Sequence, residues 1–303
     1  LFMALIAVPA ALISHPVLWI VPVQLILPCL LVANFFLKPL ESAIQKKYIE
    51  EAKARMAELD PVIIGITGSF GKTSIKHILG HILNTQHRTL ITPGSVNTPM
   101  GICRVIREQL SEEHKYFIVE MGAYGPGSIK RLCELTPPNY GIISAIGHAH
   151  YERFKTLNAV AQTKFELAES VIEKEGKIVI HERTIRFVES RAIKNKFHKN
   201  FIVVGDPPKA GQNTEQDPSY MTIDDVQIVK AYQTIDGIHV SLVWHNKSYD
   251  FKAPLYGMHH AHNLALCFMM ALELGMSFKA ITAALKTLPQ IRNRLEVKRL
   301  DDG

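Results

Sequence analysis

Apolar and polar residues follow two alternating patterns from Val62 onward. Short runs rich in β-branched residues are separated by longer stretches with helical spacing. Runs that are apolar throughout are typical of strands buried on both faces of a parallel sheet. The predicted strands are Val62–Thr67, Arg88–Thr92, Tyr116–Met121, Tyr140–Ile146, Lys177–His181 and Phe201–Val204. The predicted helices are Thr73–His87, Gly101–Leu110, Ser128–Glu134, Leu157–Glu173 and Thr184–Lys196.

The segment Tyr220–Leu255 has a different pattern, in which apolar and polar residues alternate one by one. Asp236-Gly237 and His245-Asn246 are turn signals within it, so it predicts an antiparallel meander appended to the sheet. Two more helices are predicted at His262–Leu274 and Ser277–Thr287. Together these patterns predict an α/β fold, with a mostly parallel sheet, helices on both faces and a small antiparallel meander.

The first 37 residues contain no Asp, Glu, Lys or Arg. A helix over Val17–Leu37 would span roughly 30 Å, the thickness of a hydrocarbon core. The pattern predicts a transmembrane helix, or a hairpin if Leu1–Ile13 ends an earlier span and Ser14-His15-Pro16 is the turn. A signal peptide or a buried core helix is the alternative, although the run is long for a signal sequence.

Positive charges follow this apolar block. The stretch after Leu37 contains Lys38, Lys46, Lys47, Lys53 and Arg55. The positive-inside tendency therefore predicts an inner (cytoplasmic) membrane location, with the rest of the chain facing the cytoplasm. Residues 38–61 are predicted to form a charged helical connector after the membrane segment at 1–37, leaving 62–303 as the main domain.

Composition excludes several classes of protein. Hydrophobic residues make up 47% and charged residues 20% of the chain, which excludes wholesale disorder and fibrous repeats. The net charge of +6 suits an anionic ligand or an anionic membrane. The basic run Arg186–Lys199 is interpreted as a solvated surface and not as a nucleic-acid site. The four cysteines form no CxxC motif, which fits a reducing compartment.

A glycine-rich segment, Gly65-Ile66-Thr67-Gly68-Ser69-Phe70-Gly71-Lys72-Thr73-Ser74, joins the first predicted strand to its helix. Such a turn directs backbone N–H groups and a helix N-terminus at one point, which suits a polyphosphate. Lys72 would supply positive charge to the outer phosphates, and the Thr73 hydroxyl is placed to bind Mg²⁺. The pattern predicts a P-loop-type sheet with a shortened loop. Its predicted nucleotide contacts are Gly68, Ser69, Phe70, Gly71, Lys72, Thr73 and Ser74.

This loop resembles the ATP loop of the Mur ligases, the enzymes that build the peptide of bacterial cell-wall precursors. Four further segments resemble that family in the family's order: Val119–Ala123, Gly147–Phe154, Ala161–Leu167 and Gly257–Asn263. Arg294-Leu295-Glu296 resembles the sequence that closes the family's central domain. The Met-Gly-Ala at 121–123 is similar to the branch that adds D-alanyl-D-alanine.

The resemblance implies an ATP-dependent, ADP-forming ligase of peptidoglycan synthesis. In this family the γ-phosphoryl group of ATP moves to a substrate carboxylate, and an amine then attacks the acyl phosphate. Residues 62–303 would be the central ATP-binding domain. The implied partners are a nucleotide-linked or lipid-linked muramoyl peptide and a D-amino-acid dipeptide.

The resemblance also implies roles for particular residues. The catalytic set would be Lys72, Glu120, His150 and Lys164. Thr73 and Glu120 would bind one Mg²⁺, and His150 with Lys164 as its carbamate would bind a second. Asn263 and Arg294 would contact the nucleotide, and the substrate contacts would be Thr92, Asn97 and Thr98.

The sequence departs from the family pattern in several places. His260 and Asn293 stand where Asn and Gly are usual. The membrane-like start leaves no room for the family's uridine-binding domain, and the chain stops where a C-terminal domain is expected, so we expect a fragment. Two alternatives stay open: an amide ligase with a different acceptor, and a membrane-tethered ATP-binding module without catalysis.

Overall fold

The computed structural model describes residues 20–147, 154–206 and 225–291, with side chains from residue 24 onward. The helices are α1 (Ile20–Leu59), α2 (Lys72–Asn84), α3 (Pro99–Gln109), α4 (Ser128–Leu135), α5 (Leu157–Ile172), α6 (Val188–Lys196), α7 (His259–Glu273) and α8 (Phe278–Lys286). The strands are β1 (Val62–Thr67), β2 (Thr89–Ile91), β3 (Tyr116–Glu120), β4 (Tyr140–Ile143), β5 (Lys177–His181), β6 (Phe201–Gly205), β7 (Val226–Thr234), β8 (Gly237–Trp244) and β9 (Lys247–Ala253). Short 3₁₀ helices lie at Glu182–Arg186 and His198–Asn200.

The chain divides into two compact units, residues 1–50 and 51–303. In the first unit the apolar side chains of α1 are exposed, among them Leu27, Leu31 and Phe35. Within the described residues, one helix, Gln24–Leu59, is long and apolar enough to cross a membrane, by length and composition only. The apolar block and the charged connector were predicted as separate elements. They form one continuous helix that contains Pro28 and Pro39 and ends at Leu59, just before Asp60-Pro61.

A single nine-stranded sheet organises the second unit, in the order β2-β3-β1-β4-β5-β6-β7-β8-β9. All pairings from β2 to β7 are parallel, whereas β7, β8 and β9 pair antiparallel. The predicted parallel sheet with an appended meander is therefore confirmed. Strand β1 lies between β3 and β4, so the connections that follow it along the chain lead to strands on both of its sides. Ligands bind at such points, outside the carboxyl ends of the strands.

Helices cover both faces of the sheet at β1. Ile64 and Ile66 are fully buried in one core cluster with Ile75 of α2 and Leu264 of α7. On the other face, a Cβ at Gly65 would lie 2.6 Å from Leu167 Cδ1 of α5. Gly65 thus lets α5 approach the strand closely, and this packing brings α2, α5 and α7 to the same end of β1.

The four cysteines divide sharply by position. Cys29 is exposed on α1, whereas Cys103, Cys133 and Cys267 are buried. Burial raises the pKa of the Cys133 thiol to about 12, because the low-dielectric interior disfavours the thiolate.

Several predicted bounds shift by a few residues in the structure, and two of the differences have a clear physical cause. Strand β4 ends at Ile143 and not at Ile146, since the Ser144 hydroxyl donates to the Phe70 carbonyl at 2.5 Å and draws the chain toward the glycine-rich loop. The helix predicted at Thr184–Lys196 is divided, because Phe187 has extended backbone angles between the 3₁₀ turn and α6. Both differences depend on contacts or angles that local patterns do not specify.

Candidate active site

The glycine-rich loop lies between the end of β1 at Thr67 and the start of α2 at Lys72. Gly68 and Gly71 have φ values of 153° and 82°, a region that side chains other than glycine rarely adopt. A Cβ on Gly71 would lie 2.7 Å from Asn263 Oδ1, and one on Gly68 would overlap Ser144 Oγ. Backbone conformation and close packing therefore both require glycine at these two positions.

Ser69 connects this loop by hydrogen bonds to the segment that follows β4. Its backbone N–H donates to the Ala145 carbonyl at 2.7 Å. Its hydroxyl donates to the Gly147 carbonyl at 3.0 Å and accepts from the Gly147 N–H at 2.9 Å. The Ser69 side chain thus orders the loop in this structure. Its role as a nucleotide contact stays a prediction, as does that of the exposed neighbour Phe70.

Lys72 folds over the loop, where its ammonium donates to the Gly68 carbonyl at 2.8 Å. Gly71 is the N-cap of α2, and no side chain caps this end of the helix. The first-turn N–H groups of a helix need acceptors from outside the helix. Ser74 is buried in that first turn. The loop, the helix terminus and Lys72 together form a positively polarised cradle of the kind that binds phosphate groups.

The carboxylate of Glu120, at the end of β3, is held by three side chains. Its Oε2 accepts from Thr73 Oγ1 at 3.1 Å and from Lys76 Nζ at 3.0 Å. Its Oε1 accepts from Asn97 Nδ2 at 3.3 Å. The sequence predicted that Thr73 and Glu120 would share an ion, and the structure brings them together across 47 residues of chain.

The Thr73 and Glu120 oxygens, which are joined by a hydrogen bond, lie close enough together for one Mg²⁺ to contact both. Mg–O bonds of about 2.1 Å put neighbouring ligand oxygens about 3 Å apart, close to the 3.1 Å observed. Among the described residues, no group of three His, Cys, Asp or Glu could hold a metal. A site with few protein ligands still suits Mg²⁺, which keeps several waters and binds through substrate phosphates.

Lys76 was not singled out from the sequence, yet it is fully buried against Glu120. It also donates to the Gly94 carbonyl at 2.6 Å. Burial lowers the pKa of Lys76, and the neighbouring Glu120 charge opposes that shift. A signal was present: Lys76 lies four residues after Lys72 and three after Thr73, so all three share one helix face.

Lys164 on α5 is buried, with 4% of its surface exposed. Burial, together with the charge of Lys72, lowers its pKa from 10.5 to about 7. Two residues further on, Glu166 accepts from the N–H groups of Gly127 and Lys130 at the start of α4. The partner predicted for Lys164, His150, lies outside the described residues.

The predicted substrate residues occupy different environments. Thr92 is fully buried, and its hydroxyl accepts from the Glu120 N–H at 3.1 Å. Asn97 accepts from the Tyr124 hydroxyl at 2.7 Å while it donates to Glu120. Thr98 is exposed at the N-cap of α3. Thr92 and Asn97 thus contact Glu120 directly, and contacts of all three residues with substrate stay a prediction.

Asn263 and the residues beside it face the loop from α7. Asn263 is buried and contacts the Gly71 position, whereas Arg294, its predicted companion, lies outside the described residues. The His262 ring stacks on His181 with centroids 4.5 Å apart, and its Nε2 lies 3.4 Å from Asp206 Oδ1. This histidine pair was not predicted, because its members come from elements far apart in sequence.

Known proteins are similar to this chain in both sequence and fold. The family model described as Mur ligase middle domain matches residues 66–271. The UDP-N-acetylmuramoyl-tripeptide–D-alanyl-D-alanine ligase of Buchnera aphidicola is 28% identical over 247 residues, which cover 80% of this chain and 49% of that protein. The Escherichia coli K12 protein of the same name is 26% identical over 237 residues, with coverages of 77% and 48%. The chain spans about half the length of the curated relatives it matches.

Solved structures agree with the fold. MurF from Acinetobacter baumannii has a TM-score of 0.71 at 23% identity, covering 85% of this chain and 53% of that one. The MurF ligase from Thermotoga maritima in complex with ADP has a TM-score of 0.67 at 22% identity, with coverages of 85% and 55%. The family model spans more than half of the chain, and the folds agree. The chain therefore belongs to the Mur ligase family and contains its middle domain.

Proposed function

We propose that the protein carrying this chain is an ATP-dependent amide ligase of peptidoglycan precursor synthesis. Its reaction would add D-alanyl-D-alanine to UDP-N-acetylmuramoyl-tripeptide. The observation that carries the proposal is the Thr73–Glu120 pair directly beside the glycine-rich loop. This is where a nucleotide and its Mg²⁺ would meet, and the relatives named as ligases of this kind support the choice of reaction.

The reaction proceeds in two steps. A carboxylate oxygen of the muramoyl peptide takes the γ-phosphoryl group of ATP, which gives an acyl phosphate and ADP. The amine of the dipeptide then attacks the acyl carbon, phosphate leaves, and the nitrogen loses a proton as the amide forms. Phosphoryl transfer of this kind depends mainly on positioning and on neutralisation of charge.

The glycine-rich loop would hold the triphosphate. The start of α2, which no side chain caps, would offer its N–H groups to the phosphates, and Lys72 would turn from the Gly68 carbonyl to the outer phosphates. Asn263 lies against Gly71 and would contact the nucleotide from α7, together with Arg294. Mg²⁺, when bound to Thr73 and Glu120, would neutralise phosphate charge.

Lys164 would act as a carbamate, with His150 as its companion ligand for a second Mg²⁺. An amine with a pKa of about 7 is substantially neutral in the cytoplasm, and only the neutral amine adds CO₂. The carbamate replaces a cation with oxygen ligands of the type that Mg²⁺ prefers. Burial thus prepares this lysine for the modification.

The apolar part of α1 would tether the protein to the inner membrane, with the catalytic unit in the cytoplasm. The exposure of Leu27, Leu31 and Phe35 supports this proposal. The basic residues that follow the apolar block favour the cytoplasmic side.

The test supplies the full-length protein with ATP, Mg²⁺, UDP-N-acetylmuramoyl-tripeptide and D-alanyl-D-alanine. We expect the pentapeptide product by mass spectrometry, with one ADP released per product. ADP release only with another acceptor would replace the proposed substrate but keep the ligase chemistry. Nucleotide binding without turnover on any acceptor would contradict catalysis and favour the tethered module. A Gly71→Ala variant should lose both nucleotide binding and turnover, because its Cβ would strike Asn263.

A further inference from the structure

Lys76 and Glu120 form an ion pair that is almost entirely removed from solvent. Their side chains are 0% and 2% exposed, with Nζ and Oε2 3.0 Å apart. A buried charge is costly unless it is paired and hydrogen-bonded. Here the ammonium has two acceptors, Glu120 Oε2 and the Gly94 carbonyl, so its position is closely defined.

The ammonium shares its carboxylate oxygen with the Thr73 hydroxyl. Glu120 Oε2 accepts from both groups, while Oε1 accepts from Asn97. A metal ion bound to Thr73 and Glu120 would therefore lie close to the Lys76 charge. In a dry site two nearby positive charges repel strongly.

We propose that Lys76 is a positioning residue that neutralises Glu120 in the nucleotide-free protein, so that Mg²⁺ binds weakly alone and tightly only with the nucleotide's phosphates. Phosphate oxygens bring the negative charge that offsets the repulsion between Mg²⁺ and Lys76. Lys76 thereby makes the carboxylate selective for the metal–nucleotide complex. The inference rests on the proposed function, since it assumes that Thr73 and Glu120 bind Mg²⁺.

The test titrates Mg²⁺ alone into the full chain by calorimetry, without nucleotide. We expect Lys76→Gln and Lys76→Met, which remove the charge, to bind Mg²⁺ at least about tenfold more tightly than the unchanged protein. Lys76→Arg keeps the charge, and its Mg²⁺ affinity should stay within about threefold of that of the unchanged protein. Lys279→Gln, on the exposed surface of α8, is the matched control and should leave the Mg²⁺ affinity unchanged. A purely structural role for Lys76 would instead weaken Mg²⁺ binding in all three Lys76 variants.

Equal or weaker Mg²⁺ binding by Lys76→Gln and Lys76→Met would overturn the proposal. Removal of Lys76 leaves Glu120 as an unpaired buried charge, which is strongly destabilising, so circular dichroism checks that each variant folds. A second measurement needs no variant. The unchanged protein should bind Mg²⁺ at least about tenfold more tightly with ADP present, and equally tight binding without ADP would refute the idea.

These outcomes separate the inference from the proposed reaction. The Mg²⁺ titrations require neither the muramoyl peptide nor the dipeptide. Absence of the pentapeptide would count against the proposed substrates and leave the Lys76 result standing. Tight Mg²⁺ binding by the unchanged protein without nucleotide would contradict the role proposed for Lys76 and leave the proposed reaction standing.

Discussion

Burial changes the chemistry of Lys164 and His181 in the same direction. The pKa of Lys164 falls to about 7 and that of His181 to about 3. Desolvation is the main cause in both cases, because it disfavours the charged form of a base. Nearby positive groups add to the effect: Lys72 beside Lys164, and His262 beside His181. At Lys164 the lowered pKa supports the proposed carbamate, whereas at His181 it makes stability depend on pH.

Replacement of Lys164 should remove turnover. We expect Lys164→Ala to lower ligase activity at least about 100-fold, on the scale of lost metal-site groups, with nucleotide binding reduced far less. Labelled bicarbonate should give a carbamate signal in the nuclear magnetic resonance spectrum of the unchanged protein and of Lys279→Ala, but not of Lys164→Ala. Activity within about twofold of normal in Lys164→Ala would exclude the predicted role.

Acid should destabilise the protein partly through His181. Its Nδ1 accepts from the Arg183 N–H at 3.1 Å, and His262, Arg183 and Arg186 all disfavour its protonation. Above pH 6.5 the imidazole is neutral in both the folded and unfolded states. As the pH falls from 6.5 toward 3, only the unfolded chain gains the proton, so stability is lost.

The variant His181→Asn keeps an acceptor for Arg183 but does not titrate. Its free energy of unfolding in urea should therefore decrease less than that of the unchanged protein between about pH 6.5 and pH 4.5. The exposed His198→Asn is the control and should follow the unchanged protein. If the free energy of unfolding fell with pH equally in His181→Asn and in the unchanged protein, this histidine would not contribute to the acid sensitivity.

At the scale of elements, the Glu166 side chain links α5 to the start of α4. The Glu166 oxygens accept from the N–H groups of Gly127 and Lys130 at 2.7 Å and 2.8 Å. Carboxylates at a helix N-terminus satisfy donors that the helix leaves open and interact favourably with its dipole. The contact also fixes the part of α5 that carries Lys164.

Loss of this cap should destabilise the fold without removing a charge from the nucleotide cradle. We expect Glu166→Ala to lower the free energy of unfolding by about 1–2 kcal/mol, measured by urea denaturation. Glu169→Ala changes an exposed carboxylate on the same helix and should lower it by less than about 0.5 kcal/mol. If the Glu166 cap contributed nothing, the two variants would have the same free energy of unfolding.

Most of the elements were predictable from the sequence. Strands such as Lys177–His181 are buried on both faces, so their apolar runs stand out, and the predicted bounds match the structure. The division at Phe187 was not predictable, because both flanking segments contain good helix formers. There the backbone angles are set by the surrounding fold, not by local propensity.

The candidate site was predictable where its residues are neighbours in the chain. Gly68 to Ser74 form one motif, and their type and spacing indicate phosphate binding. Lys76 and Ser144 were missed, since their partners lie 44 and 74 residues away. Contacts between residues so far apart in the chain depend on the order of strands in the sheet, which cannot be read from one sequence. His150 and Arg294, outside the described residues, stay predictions.

For the whole molecule, topology explains how distant segments meet. β1 lies between β3 and β4, so the loop after β1, the end of β3 and the segment after β4 share one edge of the sheet. Thr73 and Glu120 meet there, and Ser69 meets Gly147. The first unit, by contrast, leaves apolar side chains of α1 exposed, and the tether proposed above would use this surface.

The proposed membrane tether predicts that the protein binds to lipid. The unchanged protein should float with anionic liposomes in a density gradient. A triple variant, Leu27→Gln, Leu31→Gln and Phe35→Gln, removes apolar area from one stripe of α1 and should float much less. Ile235→Gln removes an exposed apolar side chain from the β7–β8 turn and should float normally. Flotation of the triple variant at the normal level would argue against insertion of this stripe.

The distribution of thiols makes this chain suitable for labelling at one cysteine. Cys29 is exposed, whereas Cys103, Cys133 and Cys267 are buried, and burial raises the pKa of all three inner thiols. Alkylating reagents attack the thiolate, which these inner cysteines scarcely form. A maleimide fluorophore would therefore attach at Cys29, and its emission would report the polarity around the apolar helix while the phosphate cradle stays unmodified.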